Sequence, residues 1–326
     1  MKAIFYTDGC TAEELKIGEA EMLSPSSKEI LVRIKAAGVN RADIMQREGH
    51  YPPPKGASTI LGLEIAGVVE GIGSQVTKWK LGDKVFGLIP GGGYAEYAII
   101  HEDMAMSLRH NLSMAEAAAI PEVFLTAYQA LIFYGRIQKG ETALIHAGAS
   151  GVGTSAIQIA KEAGAHVFIT ASKEKHENCF KLGAEKAIDY KHEDFYDEVM
   201  KFTEGNGVDV IIDFIGGPYL QKNINCLKSD GRLIMLSLLG GSKVKELDIR
   251  SLIGKRLSII GSALRSRSLE YRINLVKEFS AFALEKFKSR KLVPVIDKIY
   301  NWKDAAEAHK RIEANKNIGK IILEID

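Results

Sequence analysis

The spacing of apolar residues changes character partway along this chain. Residues 29–37, EILVRIKAA, set Ile30, Val32, Ile34 and Ala36 against Leu31, Arg33 and Lys35. A period of two predicts a half-buried strand. Further short strands are expected at 65–71 and 84–88, and a short helix over 41–47. Tyr51-Pro52-Pro53-Pro54 is irregular, because proline lacks an amide donor and restricts the residue before it. Glycines at 56, 62, 67, 71, 73, 82, 87 and 91–93 supply the frequent turns of a compact, barrel-like domain. Ser113-Met114-Ala115-Glu116 reads as a capping box opening an alanine-rich helix. Pro121 is expected to interrupt that helix and mark the passage into a second domain.

Beyond it the pattern alternates strand and helix. Residues 142–146 are an apolar run that breaks at Ala147-Gly148-Ala149-Ser150-Gly151-Val152-Gly153. Ala156, Ile157, Ile159 and Ala160 then recur at helical spacing until Gly164, and 165–170 is a second apolar run. Strand, glycine turn, helix, strand is a unit that holds a dinucleotide. The pyrophosphate sits on free amides at the positive end of the helix, and side chains in the turn would keep it away. Ser150 departs from the strict G-x-G-x-x-G pattern. Helices over 173–182 and 194–202 and strands at 187–190, 208–213, 232–237 and 257–261 bring the count to about six strands. A long amphipathic helix is expected from beyond Arg265 to about Lys288. Residues 305–309 read as helix and 319–325 as a strand without a place in the cofactor sheet. That strand is expected to return to the first domain, making it discontinuous. The fold class is thus α/β: a Rossmann dinucleotide-binding domain over 121–265 and a β-rich domain over 1–120 and 266–326.

Composition narrows the function classes. With 326 residues there is room for two cores, and 46% hydrophobic with 26% charged residues is ordinary for a globular protein. Forty-three basic and 41 acidic residues give a net charge of +2, which offers no bulk attraction to nucleic acid. Cys10, Cys179 and Cys226 are too far apart in sequence to read as a disulfide framework or metal-ligand pairs. Cys179 and Cys226 are expected to be packing residues, and His146, in a buried-strand pattern, a structural one. No run reaches membrane-spanning length and no signal peptide is recognised, so a cytoplasmic location is expected.

Charge at the end of the second strand bears on the coenzyme. An NAD-binding fold carries Asp or Glu at the end of its second strand, for the ribose 2′-hydroxyl. This strand ends Thr170-Ala171-Ser172-Lys173-Glu174-Lys175. Ser172 stands where the acid is expected and two lysines follow. A hydroxyl and an ammonium suit a 2′-phosphate, so NADPH is expected. The alternative is that Lys173, Glu174 and Lys175 form a solvated first helical turn.

The sequence resembles the medium-chain dehydrogenases/reductases, within them the zinc-free quinone oxidoreductase branch that includes zeta-crystallin. The resemblance covers essentially the whole chain. It is carried by Gly38-Val39-Asn40-Arg41-Ala42-Asp43, Tyr51-Pro52-Pro53-Pro54, Leu61-Gly62-Leu63-Glu64-Ile65-Ala66-Gly67, the glycine turn from His146 to Gly153, and Glu313-Ala314-Asn315-Lys316-Asn317-Ile318-Gly319-Lys320. It implies that the β-rich domain is GroES-like and that the ligand cleft lies between the domains. Zinc-using members carry Gly-His-Glu where this chain has Gly62-Leu63-Glu64, and a cysteine in the stretch that here runs from Asn40 to Asp43. Zinc needs about four convergent ligands, so no metal is expected. By resemblance Asn40 and Tyr51 lie near the nicotinamide as candidate catalytic residues and Thr126 flanks it. Gly148, Ser150, Gly151, Val152 and Gly153 hold the pyrophosphate, and Tyr190 joins Ser172 and Lys175 at the 2′-phosphate. Gly216, Leu238, Leu264 and Asn315 are further cofactor neighbours. The loop Leu264-Arg265-Ser266-Arg267 approaches the coenzyme in this family.

The expected activity is NADPH-dependent, zinc-independent reduction of a quinone, a small-molecule substrate. Reduction of enones or 2-enoyl thioesters is the alternative, and a non-catalytic NADPH-binding role, crystallin-like or RNA-binding, is the other. Neither a membrane nor nucleic acid is an expected partner. A homodimer is expected by resemblance, through edge pairing of the strand near residues 258–262.

Overall fold

The computed structural model describes residues 1–108 and 111–326. The chain divides into two compact units, one formed by Met1–Leu125 with Arg265–Asp326 and one by Thr126–Leu264. In chain order the first carries β1 (Lys2–Phe5), β2 (Lys16–Glu19), β3 (Glu29–Val39), α1 (Arg41–Arg47), β4 (Glu64–Ile72), β5 (Lys84–Leu88), β6 (Tyr97–His101), β7 (Ala105–Ser107), α2 (Met114–Ala118) and the start of α3 (Pro121–Tyr128). The second carries β8 (Thr142–Ile145), α4 (Gly151–Glu162), β9 (His166–Ala171), α5 (His176–Leu182), β10 (Lys186–Asp189), α6 (Phe195–Phe202), β11 (Val208–Asp213), α7 (Gly217–Cys226), β12 (Leu227–Met235), α8 (Arg250–Gly254) and β13 (Ser258–Gly261). The chain then re-enters the first unit with α9 (Leu269–Lys288), β14 (Ile296–Asn301), α10 (Ala305–Glu313) and β15 (Lys320–Glu324).

The first unit is built on a sheet of order β14-β15-β3-β4-β5-β7, with β6 pairing on β3. Strand β3 is its axis: Ile30, Val32, Ile34 and Ala36 are fully buried while Arg33 is exposed. The last strand, β15, runs antiparallel to β3, with Ile322 opposite Gly38 and Leu323 opposite Ala37. Pro121 does not merely stop a helix. Helix α2 ends at Ala118 and Pro121 opens α3, a position where its missing amide costs nothing. Phe124 of α3 then packs against Phe279 and Phe287 of α9, with ring centroids 6.3 and 4.9 Å apart.

The second unit is a six-stranded parallel sheet of order β10-β9-β8-β11-β12-β13. Counted within the unit this is 3-2-1-4-5-6, the doubly wound dinucleotide order, whose direction reverses between β8 and β11. Both faces are covered, so its strands are apolar throughout: Val210, Ile211 and Ile212 are all fully buried. Leu144, Phe168, Ile188, Ile211 and Leu233 line one face against Phe195 and Val199 of α6.

The glycine turn after β8 is sterically required. A Cβ on Gly153 would stand 2.3 Å from the Ala147 carbonyl oxygen and one on Gly148 2.7 Å from Ile169 Cβ. Gly153→Ala is therefore expected to destabilise by about 1–3 kcal/mol, read as a lowered Tm. Gly254→Ala, where a Cβ meets nothing within 4 Å, should stay within roughly 0.5 kcal/mol of the parent.

Candidate functional site

In a parallel sheet all strands end on one edge, where open α/β folds take their ligands. The residues assigned to the coenzyme from sequence follow the carboxyl ends of all six strands. Gly148, Ser150, Gly151, Val152 and Gly153 follow β8, Ser172 and Lys175 follow β9, and Tyr190 follows β10. Gly216 follows β11, Leu238 follows β12 and Leu264 follows β13. Ser150 caps α4, its hydroxyl accepting the Gly153 amide at 3.0 Å. The serine that breaks the glycine pattern thus has a local task, which leaves the amides of Gly151 and Val152 at the helix start. Ala147 turns the corner at φ 49°.

Behind this loop His146 is fully buried. Its Nε2 donates to Asn223 Oδ1 at 2.8 Å and its Nδ1 accepts from the Thr170 hydroxyl at 3.1 Å. Burial lowers its pKa to about 4, so the ring is a neutral brace joining β8, β9 and α7. Asp213, at the end of β11, accepts the amides of Ile215 at 2.8 Å and Gly216 at 3.0 Å, and burial raises its pKa to about 6. Gly216 has φ 85°, and a Cβ there would lie 2.7 Å from Leu238 Cδ2, so these two coenzyme candidates are in contact range of each other.

At the end of β9, Ser172 is buried and hydrogen-bonded to the Glu174 carboxylate, whose pKa is lowered chiefly by that bond. Lys191 stands 3.8 Å from Glu174. Because β10 pairs with β9 so that Asp189 faces Ala171, Ser172 and Tyr190 leave adjacent strand ends. Lys173, Lys175 and Lys191 share this corner with the carboxylates of Glu174, Asp189 and Glu193. Thr126 lies in α3, half-buried.

The remaining candidates belong to the first unit. Asn40 begins α1, and its backbone amide donates to Asp43 Oδ2 at 2.8 Å. Its side chain is turned inward: Nδ2 donates to Glu64 Oε1 at 2.9 Å, and Oδ1 accepts from Lys320 Nζ at 2.6 Å. Lys320 also lies 2.7 Å from Glu64 Oε1 and donates to the Val39 carbonyl. The other carboxylate oxygen of Glu64 accepts the Glu122 amide at 2.8 Å. Glu64 has no exposure and Lys320 almost none. Gly38 makes room, since a Cβ there would fall 2.2 Å from Glu64 Oε1.

Asp43 anchors a second buried chain. Beyond the Asn40 amide it accepts Gly62 N at 3.2 Å and the Tyr94 hydroxyl at 3.3 Å. Tyr94 in turn meets His309 Nε2 at 3.1 Å, and Arg47 donates to His309 Nδ1 at 3.2 Å. Arginine can only donate, so the proton of the ring is on Nε2. Burial and the Arg47 charge hold His309 neutral, its pKa near 3, whereas burial raises Asp43 to about 6.

Tyr51 lies under Arg265, whose guanidinium is 5.3 Å from the ring centroid and whose Nε and Nη2 donate to the Pro90 carbonyl. Its phenol is raised by burial and by the Glu122 charge, and stays neutral. Asn315 is exposed just past the end of α10 with φ 53°, its Oδ1 accepting from Arg41 at 2.6 Å. The thiols of Cys179 and Cys226 are pushed up to about 11 and 12 by burial, as suits packing residues. Sequence reasoning did not single out Lys320, Asp43 or Glu122. Glu122 had one signal, a lone charge in the apolar run from Ala117 to Ala127.

Family models match residues 26–110, described as an alcohol dehydrogenase GroES-like domain, and 151–281, described as a zinc-binding dehydrogenase. The donor set does not fit zinc. Leu63 replaces the imidazole, and the Glu64 carboxylate is spent on Lys320, Asn40 and a backbone amide. Among the described residues no group of three His, Cys, Asp or Glu could hold a metal ion. The synaptic vesicle membrane protein VAT-1 homolog of Danio rerio is 33% identical over 91% of this chain, which spans 64% of that protein. No helix among the described residues is long and apolar enough to cross a membrane. Escherichia coli quinone oxidoreductase, solved with NADPH, is 30% identical with a TM-score of 0.89, over 99% of this chain and 100% of that one. The CurK enoyl reductase is 27% identical with a TM-score of 0.88, over 100% and 99%. Strand order, the capped glycine turn and these matches agree: the chain is a dinucleotide-binding oxidoreductase of the medium-chain dehydrogenase/reductase superfamily.

Proposed function

We propose that this protein is an NADPH-dependent, zinc-independent quinone reductase. The observation that carries the reading is the fate of Glu64. The carboxylate of the family's zinc motif is neutralised by the Lys320 ammonium and held by Asn40. With no ligand set to polarise an alcohol, the reaction suits an acceptor that takes a hydride unaided. A quinone is such an acceptor, because reduction makes its ring aromatic.

NADPH when bound supplies the hydride. The chain's own residues bind and orient it. Amides at the start of α4 take the pyrophosphate, and Asp213 fixes the loop carrying Gly216. Ser172, Lys175 and Tyr190 receive the 2′-phosphate, with Glu174 giving up Ser172 to it. Asn40 and Tyr51 border the nicotinamide, Asn40 as a rigid wall, since both ends of its amide are engaged. Thr126, Leu238, Leu264 and Asn315 complete the surroundings. Likeness to the CurK enoyl reductase favours a second reading, reduction of an enone or 2-enoyl thioester by the same hydride. The cytoplasm suits either substrate class.

A homodimer is part of this reading. Strand β13 pairs only with β12 among the described residues, and Ile259 on it and Ile253 before it are exposed by 36% and 80%. An unpaired apolar edge invites a second copy.

Three outcomes follow. Steady-state assays should show turnover of an ortho- or para-quinone with NADPH, and activity confined to an enone would move the assignment to the second reading. Lys175→Ala should weaken NADPH binding roughly tenfold or more, the worth of a charge-assisted contact, and leave NADH nearly unchanged in fluorescence titrations. Equal losses would remove the phosphate assignment. Light scattering should give a dimer that Ile259→Lys converts to a folded monomer; a parent monomer would refute the edge pairing.

A further inference from the structure

Hydride transfer to a quinone leaves a hydroquinone anion that requires one proton, and one carboxyl group of the first unit stands beside the candidate residues Asn40 and Tyr51. Glu122 follows Pro121 in the first turn of α3, and its amide bonds to Glu64 Oε2 at 2.8 Å. That bond fixes the residue beside the Asn40–Glu64–Lys320 cluster. Its own carboxyl accepts no hydrogen bond among the described residues. The residue is half-buried, not sealed.

The charged groups facing it come from four other elements. Glu64 of β4 and Asp43 of α1 are carboxylates that oppose its ionisation. Lys320 of β15 and Arg265 ahead of α9 oppose them, but among the described residues neither makes an ion pair or hydrogen bond with the Glu122 carboxyl. Lys320 is spent on Glu64, Asn40 and the Val39 carbonyl. Arg265 gives Nε and Nη2 to the Pro90 carbonyl and keeps a buried Nη1 without a hydrogen-bond partner. Tyr51 lies within the field of the same carboxyl and beneath Arg265. A carboxyl without a donor or a dedicated cation, next to two other carboxylates, stays protonated.

Resting on the quinone reductase reading, we propose that Glu122 is the catalytic acid that protonates the reduced acceptor. The coenzyme C–H bond breaks, its hydrogen and electron pair pass to the quinone, and the nicotinamide is oxidised. The O–H bond of Glu122 then breaks as a new O–H bond forms on the hydroquinone anion. The Glu122 carboxylate recovers its proton from water before the next turnover. Burial and the Glu64 charge raise its pKa to about 8, which keeps the acid form dominant at neutral pH and the proton easy to release.

The test uses the full-length protein, Glu122→Gln and Glu122→Asp. In single-turnover reduction of a para-quinone the parent rate should fall as pH rises through about 8. Glu122→Gln should be slower by about 100-fold and lack that alkaline limb, with NADPH affinity unchanged, and Glu122→Asp should recover part of the rate. A readout independent of turnover comes from stability. A carboxyl whose folded pKa lies above its unfolded one favours the fold most at low pH, and that advantage is lost as pH rises through about 8. The Tm of Glu122→Gln minus that of the parent should therefore grow from about pH 5 to pH 9. A flat difference, or a Gln variant with parental rate and alkaline limb, overturns the acid assignment alone. A parent that reduces neither quinone nor enone overturns the functional reading, and this inference with it.

Discussion

A single buried carboxylate organises the first unit. Glu64 lies wholly out of water, and an ion so placed is tolerable only when its charge is matched and its lone pairs are filled. Both conditions are met by residues that are distant in sequence. Lys320 of the last strand brings the charge, while Asn40 at the head of α1 and the Glu122 amide at the head of α3 bring donors. The ion therefore sets the relative placement of β3, β4, β15, α1 and α3. Gly38 is part of the same requirement, since any side chain there would occupy the carboxylate's space. What would be a metal-binding corner in relatives with Gly-His-Glu has become an internal salt bridge.

The second unit depends on a different principle. Its candidate residues need no mutual contact, because a parallel sheet delivers six chain segments to one edge by topology. Local devices then shape that edge: Ser150 capping α4, Asp213 pinning the Gly216 turn, and His146 bracing strands from beneath. None of these polar groups reads as chemistry once its partners are known. His146 and Asp213 are buried and fully engaged, and their displaced pKa values follow from burial.

The α/β class and the strand–turn–helix core were legible because the apolar period switches and because glycine density marks the turn. The return of the last strand to the first unit was legible as well, since residues 319–325 had no place in the alternating series. Less visible was β14, whose residues Ile296–Asn301 include two charges and are nowhere fully buried. Among the described residues it pairs with β15 alone, so little of it is stamped by a core. Pro121 was expected to interrupt a helix, and it does so by opening the next one. Proline is compatible with both roles, and the packing of Phe124 decides between them. The candidate site's geometry was legible where it is local, as in the glycine turn and the serine at the end of β9. It was not legible where it depends on pairing across the chain. Nothing around Lys320 in sequence announces Glu64, and nothing around Asp43 announces Tyr94 or His309.

The distance along the chain between Lys320 and Asn40, 280 residues, has a consequence for biosynthesis. A ribosome releases β3, β4 and α1 long before it releases the lysine that neutralises Glu64, and domains fold as they emerge. Until then the carboxylate lacks its counter-charge, and burying it takes a proton in place of the lysine. The intervening parallel-sheet unit has all its strands in hand and is free to fold first. The charge pairing inside the first unit is thus completed only after every residue of the second has been made.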